Sequence, residues 1–337
     1  MTLRRRDCLA LLAVPVLRSQ STPRALLEEL AASQKTPGLT AAIRVKEAQV
    51  FSEAVGEATP ATRFRIGSLS KLLTAATAAR LYDRGVLDLD APIQKYAPTF
   101  PDKGAPITSR QLLGHLAGIR HYGPNEYVNT THFATVRDGL KIFQDSPLVQ
   151  PPGTKYLYSS YGYNLLGLVI EGAAKMNFAA CVQKEVLDPL GMKDTGTDER
   201  VPNVARFYTS SNGQIADAPR VDNSDRLPSG GFLSTASDLA RFGAAHLSGD
   251  FLKPATRTMM FTSQKTAEGK ETGVGFGWRI AQIDGERVYH HGGDSMGGRA
   301  FLLLRPEHNL SVAIACNLSF ARIAEPNAMA LSQPFAS

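Results

Sequence analysis

The chain has 337 residues, of which 43% are hydrophobic and 20% charged. That is enough apolar material for one large domain or two modest ones, and it excludes a disordered, coiled-coil or repeat protein. The formal charge of +6 is partly local, because the first twenty residues hold four arginines against one aspartate; no basic stripe with interleaved aromatics follows, which argues against a nucleic-acid partner.

Taken in order, Arg4-Arg5-Arg6 and the short apolar run Cys8 to Leu17 read as an export signal over residues 1–21, similar to a twin-arginine leader, with cleavage near Gln20. An N-terminal amphipathic arm is the alternative. The run is too short to span a bilayer and none later is a candidate, so the expected protein is periplasmic or secreted, without a stable transmembrane anchor. Pro23 to Ala32 has helical spacing, and Thr40 to Val45 and Gln49 to Val55 form a hairpin across Lys46-Glu47. A helix-forming run, Leu72 to Leu81, is closed by Gly85 to Pro92. A short helix spans Thr108 to Leu116, capped at Thr108 or Ser109. Two more cover Tyr161 to Met176 and Phe178 to Leu187, the second stopped by Pro189 and Gly191. Thr235-Ala236-Ser237-Asp238 reads as a capping box before a helix over Leu239 to Leu247. Four β-like runs follow: Gly277 to Ile283, Arg287 to His290, Arg299 to Leu304 and Leu310 to Cys316. Their close spacing implies antiparallel pairing, and the N-terminal hairpin joins them in one sheet. The expected class is α+β, with an α/β part over 22–66 and 204–337 and a helical part inserted over 67–203. Cys8 leaves with the signal, and Cys181 and Cys316 read as buried free thiols.

Two serines compete for the role of nucleophile. Gly293-Asp294-Ser295-Met296-Gly297 fits Gly-x-Ser-x-Gly, but a nucleophile elbow needs strand, serine, then helix, with a triad histidine later in the chain. Here a strand follows Ser295, and the only later histidine, His308, sits in a polar turn. Ser68-Leu69-Ser70-Lys71 opens a helix instead. One turn places the Ser68 and Lys71 side chains on one face, and the helix N-terminus favours a developing alkoxide.

Tyr158-Ser159-Ser160 before a helix and His291-Gly292-Gly293 at the end of a strand complete a pattern. In that order the three elements resemble the serine β-lactamase and penicillin-binding protein superfamily. The similarity extends through Gly118-Ile119-Arg120-His121-Tyr122, Leu157 to Tyr163, Ala205 to Tyr208, Val221 to Ser224 and Gly230 to Thr235. These stretches closely resemble the branch of β-lactamase-like serine proteases of animal mitochondria and their bacterial relatives, over roughly residues 23 to 330. The resemblance implies a β-lactamase/transpeptidase-like fold and a Ser68 acyl-enzyme. Lys71 and Tyr158 then share acid and base work, and His291 takes the place of the family's strand lysine. It further implies an oxyanion hole made by the backbone N–H groups of Ser68 and Asp294, with substrate lying against Ser160, Gly292 and Gly293. No metal or organic cofactor is required.

Ser160 stands where many relatives have asparagine, which argues against antibiotic binding, and no Glu-x-x-Leu-Asn run appears, which argues against glutamate-activated deacylation; with His291 in place of lysine, the resemblance favours peptidase or esterase chemistry on a small-molecule or peptide substrate over lactam hydrolysis. The alternatives are a D-alanyl-D-alanine carboxypeptidase or weak β-lactamase, and a silent scaffold that self-associates, since relatives in this branch assemble into filaments. His290 is expected on the sheet face opposite His291. For His115 and His121, packing or backbone hydrogen bonding is the expected role, and Asp88 and Asp90 read as turn and capping residues.

Overall fold

The computed structural model describes residues 22–124, 126–197 and 202–336. The export signal expected over residues 1–21 lies outside them. The N-terminal hairpin, β1 (Gly38–Val45) and β2 (Ala48–Gly56), turns at Lys46 and Glu47 and carries the outer edge of a six-stranded sheet. The other strands are β3 (Arg279–Ile283), β4 (Glu286–Ser295), β5 (Gly298–Arg305) and β6 (Leu310–Cys316). Their spatial order is β2-β1-β6-β5-β4-β3, antiparallel throughout. All seven residues of β6 are buried, because this strand lies mid-sheet with helices on both faces. A strand covered twice reads as a continuous apolar run.

On the outer face lie α1 (Pro23–Gln34) and the C-terminal helix Glu325–Ser332, which close Leu27, Leu30, Ile43, Val312, Ile314 and Leu331 into one cluster. The larger inner core contains α2 (Ser70–Asp83), buried without a break from Ser70 to Ala79, together with α3 (Ser160–Ala174) and α4 (Ala236–Leu247). Cys181 and Cys316 are both free and buried.

Several boundaries differ from the sequence reading. Pro189 does not stop the Phe178 helix. The chain passes through a π-helical stretch at Gln183–Leu187, Pro189 sits in the first turn of Asp188–Leu190 where no N–H is missed, and Gly191 ends the run in the left-handed region at φ +62°. Thr235 does cap α4, its hydroxyl accepting from Asp238 N–H. The Asp238 carboxylate turns away from the box, however, to accept from Asp194 N–H and the Thr195 hydroxyl. Ser160 belongs to α3 as its first residue, and β4 runs on to Ser295, so Gly292 and Gly293 lie inside a strand and not at its end.

Candidate active site

Ser68 sits in a 3-10 turn, Gly67–Leu69, that leads directly into α2. A three-stranded ribbon anchors its approach, with Phe64 and Arg65 paired to Ser234 and Leu233. Gly67 has φ +49°, and a Cβ on it would collide with the Asp294 carbonyl; one on Gly293 would collide with the Ile66 carbonyl. Both glycines are therefore required for β4 to press its backbone against the Ser68 turn.

One helical turn later, Lys71 Nζ donates to Ser68 Oγ at 2.9 Å and to the Ser229 carbonyl at 2.8 Å. The side chain is fully buried, and that burial brings its pKa down from 10.5 to about 8, helped by the Arg226 charge and opposed by Tyr122. From the other side, Tyr158 Oη donates to the same Ser68 Oγ at 2.9 Å. Burial pushes the phenol up to about 12, against hydrogen bonds with Ser68 and Ser160 that favour its ionised form. The two partners thus differ in kind: near neutral pH the phenol keeps its proton, while part of the lysine population is a free amine. When Lys71 is neutral, the Ser68 hydroxyl can donate to it while Tyr158 continues to donate to Oγ.

His291 is 3% exposed, with Nδ1 2.7 Å from the Gly292 carbonyl and its ring 6.4 Å from that of Tyr158. Burial, together with the Lys71 and Arg279 charges, holds its pKa well below 6.5. Near neutral pH it is therefore a neutral group. Ser160 is buried at the start of α3, and Asp294 pairs its carboxylate with Arg299. A cavity of about 420 Å³ brings together Ser68, Tyr158, Ser160, His291, Gly292 and Asp294.

The rival Ser295 ends β4, and only the turn Met296-Gly297 separates it from β5. His308 lies beside Glu286, 3.4 Å from its carboxylate at the other end of the β4–β5 hairpin. The context is strand, turn, strand, with no elbow and no histidine behind the serine. Asp90 is held by Arg110 and its N–H by the Asp88 carboxylate, a turn arrangement.

Reading the sequence missed four contributors. The Ser229 carbonyl that receives Lys71 is a backbone acceptor, which leaves no side-chain signature. Tyr122 and Arg226 line the cavity and face one another at 5.1 Å. Arg279 lines it as well, and among the described residues no carboxylate pairs with it. Only the β3–β4 register, which sets Arg279 opposite His290, could have signalled it.

This fold, with an Ser-x-x-Lys turn facing a tyrosine and a glycine-bearing strand, defines a class: the Beta-lactamase family model matches residues 23–332, and the chain belongs to that family of serine hydrolases. Among relatives, it is 28% identical to the mitochondrial serine beta-lactamase-like protein LACTB of Homo sapiens, over 89% of this chain and 77% of that one. It is 25% identical to the D-alanyl-D-alanine-carboxypeptidase/endopeptidase AmpH of Escherichia coli, over 76% and 71%. Among solved structures, the octameric penicillin-binding protein homologue from Pyrococcus abyssi superposes with a TM-score of 0.81 at 25% identity, covering 93% of this chain and 76% of that one. The α+β, β-lactamase/transpeptidase-like architecture expected from the sequence is the one found.

Proposed function

We propose that this chain is a serine hydrolase that cleaves an amide or ester through a Ser68 acyl-enzyme. The observation that carries the reading is the single oxygen, Ser68 Oγ, held 2.9 Å from both a buried amine and a half-buried phenol. Neutral Lys71 takes the Ser68 proton as Oγ bonds to the carbonyl carbon. The resulting oxyanion is received by the backbone N–H groups of Ser68 and Asp294. As the carbon–leaving-group bond breaks, Tyr158 gives the departing nitrogen or oxygen its proton and is reprotonated from Lys71. Water then attacks the ester through the same groups in reverse, releasing the acid and restoring Ser68.

A second reading within the family, D-alanyl-D-alanine carboxypeptidase, is favoured by Arg279: a guanidinium in the cavity with no carboxylate beside it among the described residues suits a substrate with a carboxylate end, and His291, being neutral, does not supply that charge. Cell-envelope peptides would fit the export signal read over residues 1–21. Self-association is proposed from the octameric relative. A fluorophosphonate probe followed by peptide mass spectrometry tests the reading. Modification at Ser68 is the expected result; modification at Ser295 with Ser68 untouched overturns it. Parallel assays with a p-nitrophenyl ester, nitrocefin and a D-Ala-D-Ala peptide then separate the substrate classes.

A further inference from the structure

Two histidines outside the reacting set hold the segment that carries Tyr158. His115 Nδ1 accepts from Ser159 N–H at 3.1 Å, and His121 Nδ1 accepts from Ser160 N–H at 3.2 Å. Consecutive amides immediately after Tyr158 are thus received by two imidazoles from one loop. The same rings pack on the phenol, with centroids 4.5 Å away for His115 and 5.5 Å, edge-on, for His121. His115 adopts φ +57°, a left-handed backbone that is strained for a histidine and marks a position fixed by its surroundings.

An Nδ1 that accepts an N–H carries no proton, so both rings must be neutral with hydrogen on Nε2. His291 is the reverse case: its Nδ1 faces the Gly292 carbonyl, which can only accept, so Nδ1 holds the hydrogen. The groups around the pair keep it neutral. His115 meets Lys71 from α2, Arg279 from β3, His291 from β4 and His121 from its own loop, and its ring packs on Tyr156, Tyr158 and Tyr163. His121 meets Lys71 and packs on Tyr122 and Tyr158. No carboxylate is among these neighbours; for both rings burial is the larger cause and the Lys71 charge adds to it, holding His115 well below 6.5 and bringing His121 down to about 4.

We propose that His115 and His121 are positioning residues that fix the Tyr158 phenol on Ser68 Oγ by acting as neutral Nδ1 acceptors for the Ser159 and Ser160 amides. The proposal rests on the hydrolase reading for its kinetic consequence but not for its geometry. Protonating either ring replaces an acceptor by a donor facing a donor, and the Tyr158-Ser159-Ser160 segment must then move.

The test uses the full chain in two arms. In the first, His121→Ala and His115→Ala lower kcat for a p-nitrophenyl ester about 10-fold with KM within about twofold, since a misplaced acid costs rate more than binding. Asparagine, whose Oδ1 can stand in for Nδ1 and which tolerates a left-handed backbone, restores most of that rate in His121→Asn and His115→Asn. If His115→Ala does not fold, the His121 pair decides alone. In the second arm, long-range ¹H–¹⁵N spectra of the wild-type imidazoles show His115 and His121 as Nε2–H tautomers and His291 as Nδ1–H. An Nδ1–H signal for His115 or His121, or a His121→Ala variant with wild-type kcat, overturns the proposal. So does an equal loss in the alanine and asparagine variants, which would mean packing alone. A wild type that turns over no ester and shows no probe adduct at Ser68 defeats the hydrolase reading instead, and the tautomers still decide whether the clamp exists.

Discussion

The two faces of the six-stranded sheet bury comparable side chains on very different terms. Outside, Leu27, Leu30, Ile43, Val312, Ile314 and Leu331 form an apolar core, with a buried polar group at its margin, Arg305, bonded to Glu286 and Ser332. Inside, residues less than 5% exposed include Lys71, Thr74, His115, Ser159, Asn164, Ser229 and His291. A buried polar group is costly unless it is bonded, and these largely bond to backbone carbonyls or amides. Thr74 donates to Pro228 at 2.6 Å and Asn164 to Asp225 at 3.0 Å. The difference separates two tasks. The outer face makes the fold stable, and the inner face gives up some of that stability to hold an amine and a phenol on one hydroxyl.

The largest expected effect breaks function and leaves stability alone. Ser68→Ala removes the oxygen on which the inner face converges and should lower turnover by about 10⁴-fold or more, with a melting temperature within about 2 °C of wild type. Ester hydrolysis and calorimetry on the same preparation measure both. A drop in stability as large as that of a core truncation would mean that Ser68 is structural.

Lys71 is where the two tasks conflict most. Its pKa in the folded chain, about 8, lies below the 10.5 of an exposed lysine. The sign follows from that order: folding is unhindered above pH 10.5, loses stability as pH falls from there to about 8, and carries a constant penalty of about 3 kcal/mol below. Lys71→Met should therefore abolish hydrolysis while raising unfolding stability at pH 7. The gain is about 2 kcal/mol, because the Ser229 carbonyl and Ser68 hydroxyl lose a donor. Denaturant unfolding of the two proteins checks it, and a less stable variant contradicts the assignment of a strained amine. In the wild type, kcat/KM should rise about tenfold per pH unit up to about 8 and then level, because only the free amine accepts the Ser68 proton.

The outer face gives the opposite pattern. Leu27 is fully buried on α1, far in sequence from every reacting group. Leu27→Ala should cost about 3 kcal/mol of stability through the lost transfer energy and the cavity left behind. With the protein still folded at 25 °C, kcat should stay within about twofold of wild type. A kcat loss matching the stability loss would show that the two faces are coupled.

How much of this was legible beforehand follows the same division. Apolar periodicity located α1, both strands of the hairpin and β6, because elements with a simple burial pattern write it into their sequence. Ser68, Lys71, Tyr158 and His291 were found as motifs; the structure sets Ser68, Tyr158 and His291 on one cavity and buries Lys71 behind it, bonded to Ser68 Oγ. The Ser229 carbonyl and Arg279 were not legible, since one is backbone and the other becomes informative only through strand register. The helix after Phe178 was misjudged because a proline in the first turn of a new segment does not interrupt the old one. Lys71 shows the limit most clearly. The motif could propose it as a base, but only the all-round burial of α2 supplies the lowered pKa that such a role would need.

The smallest expected effect sharpens the comparison best, because it holds local chemistry constant across the two faces. Thr22 caps α1 on the outer face, its hydroxyl accepting from Ala25 N–H at 3.2 Å. Ser159 caps α3 on the inner face, accepting from Gly162 N–H at 2.9 Å and donating to the Arg120 carbonyl at 2.7 Å. Replacing either by alanine removes one helix cap and should cost about 1 kcal/mol. Thr22→Ala should leave kcat unchanged. Ser159→Ala should lower it about threefold to tenfold, because Ser159 is the residue next to Tyr158 and its second bond ties that segment to the loop carrying His121. Matched unfolding curves with divergent kcat would show that a cap on the inner face sets the phenol as well as the helix. Equal kcat in both variants would confine Ser159 to helix capping and leave the two histidines as the sole support of Tyr158.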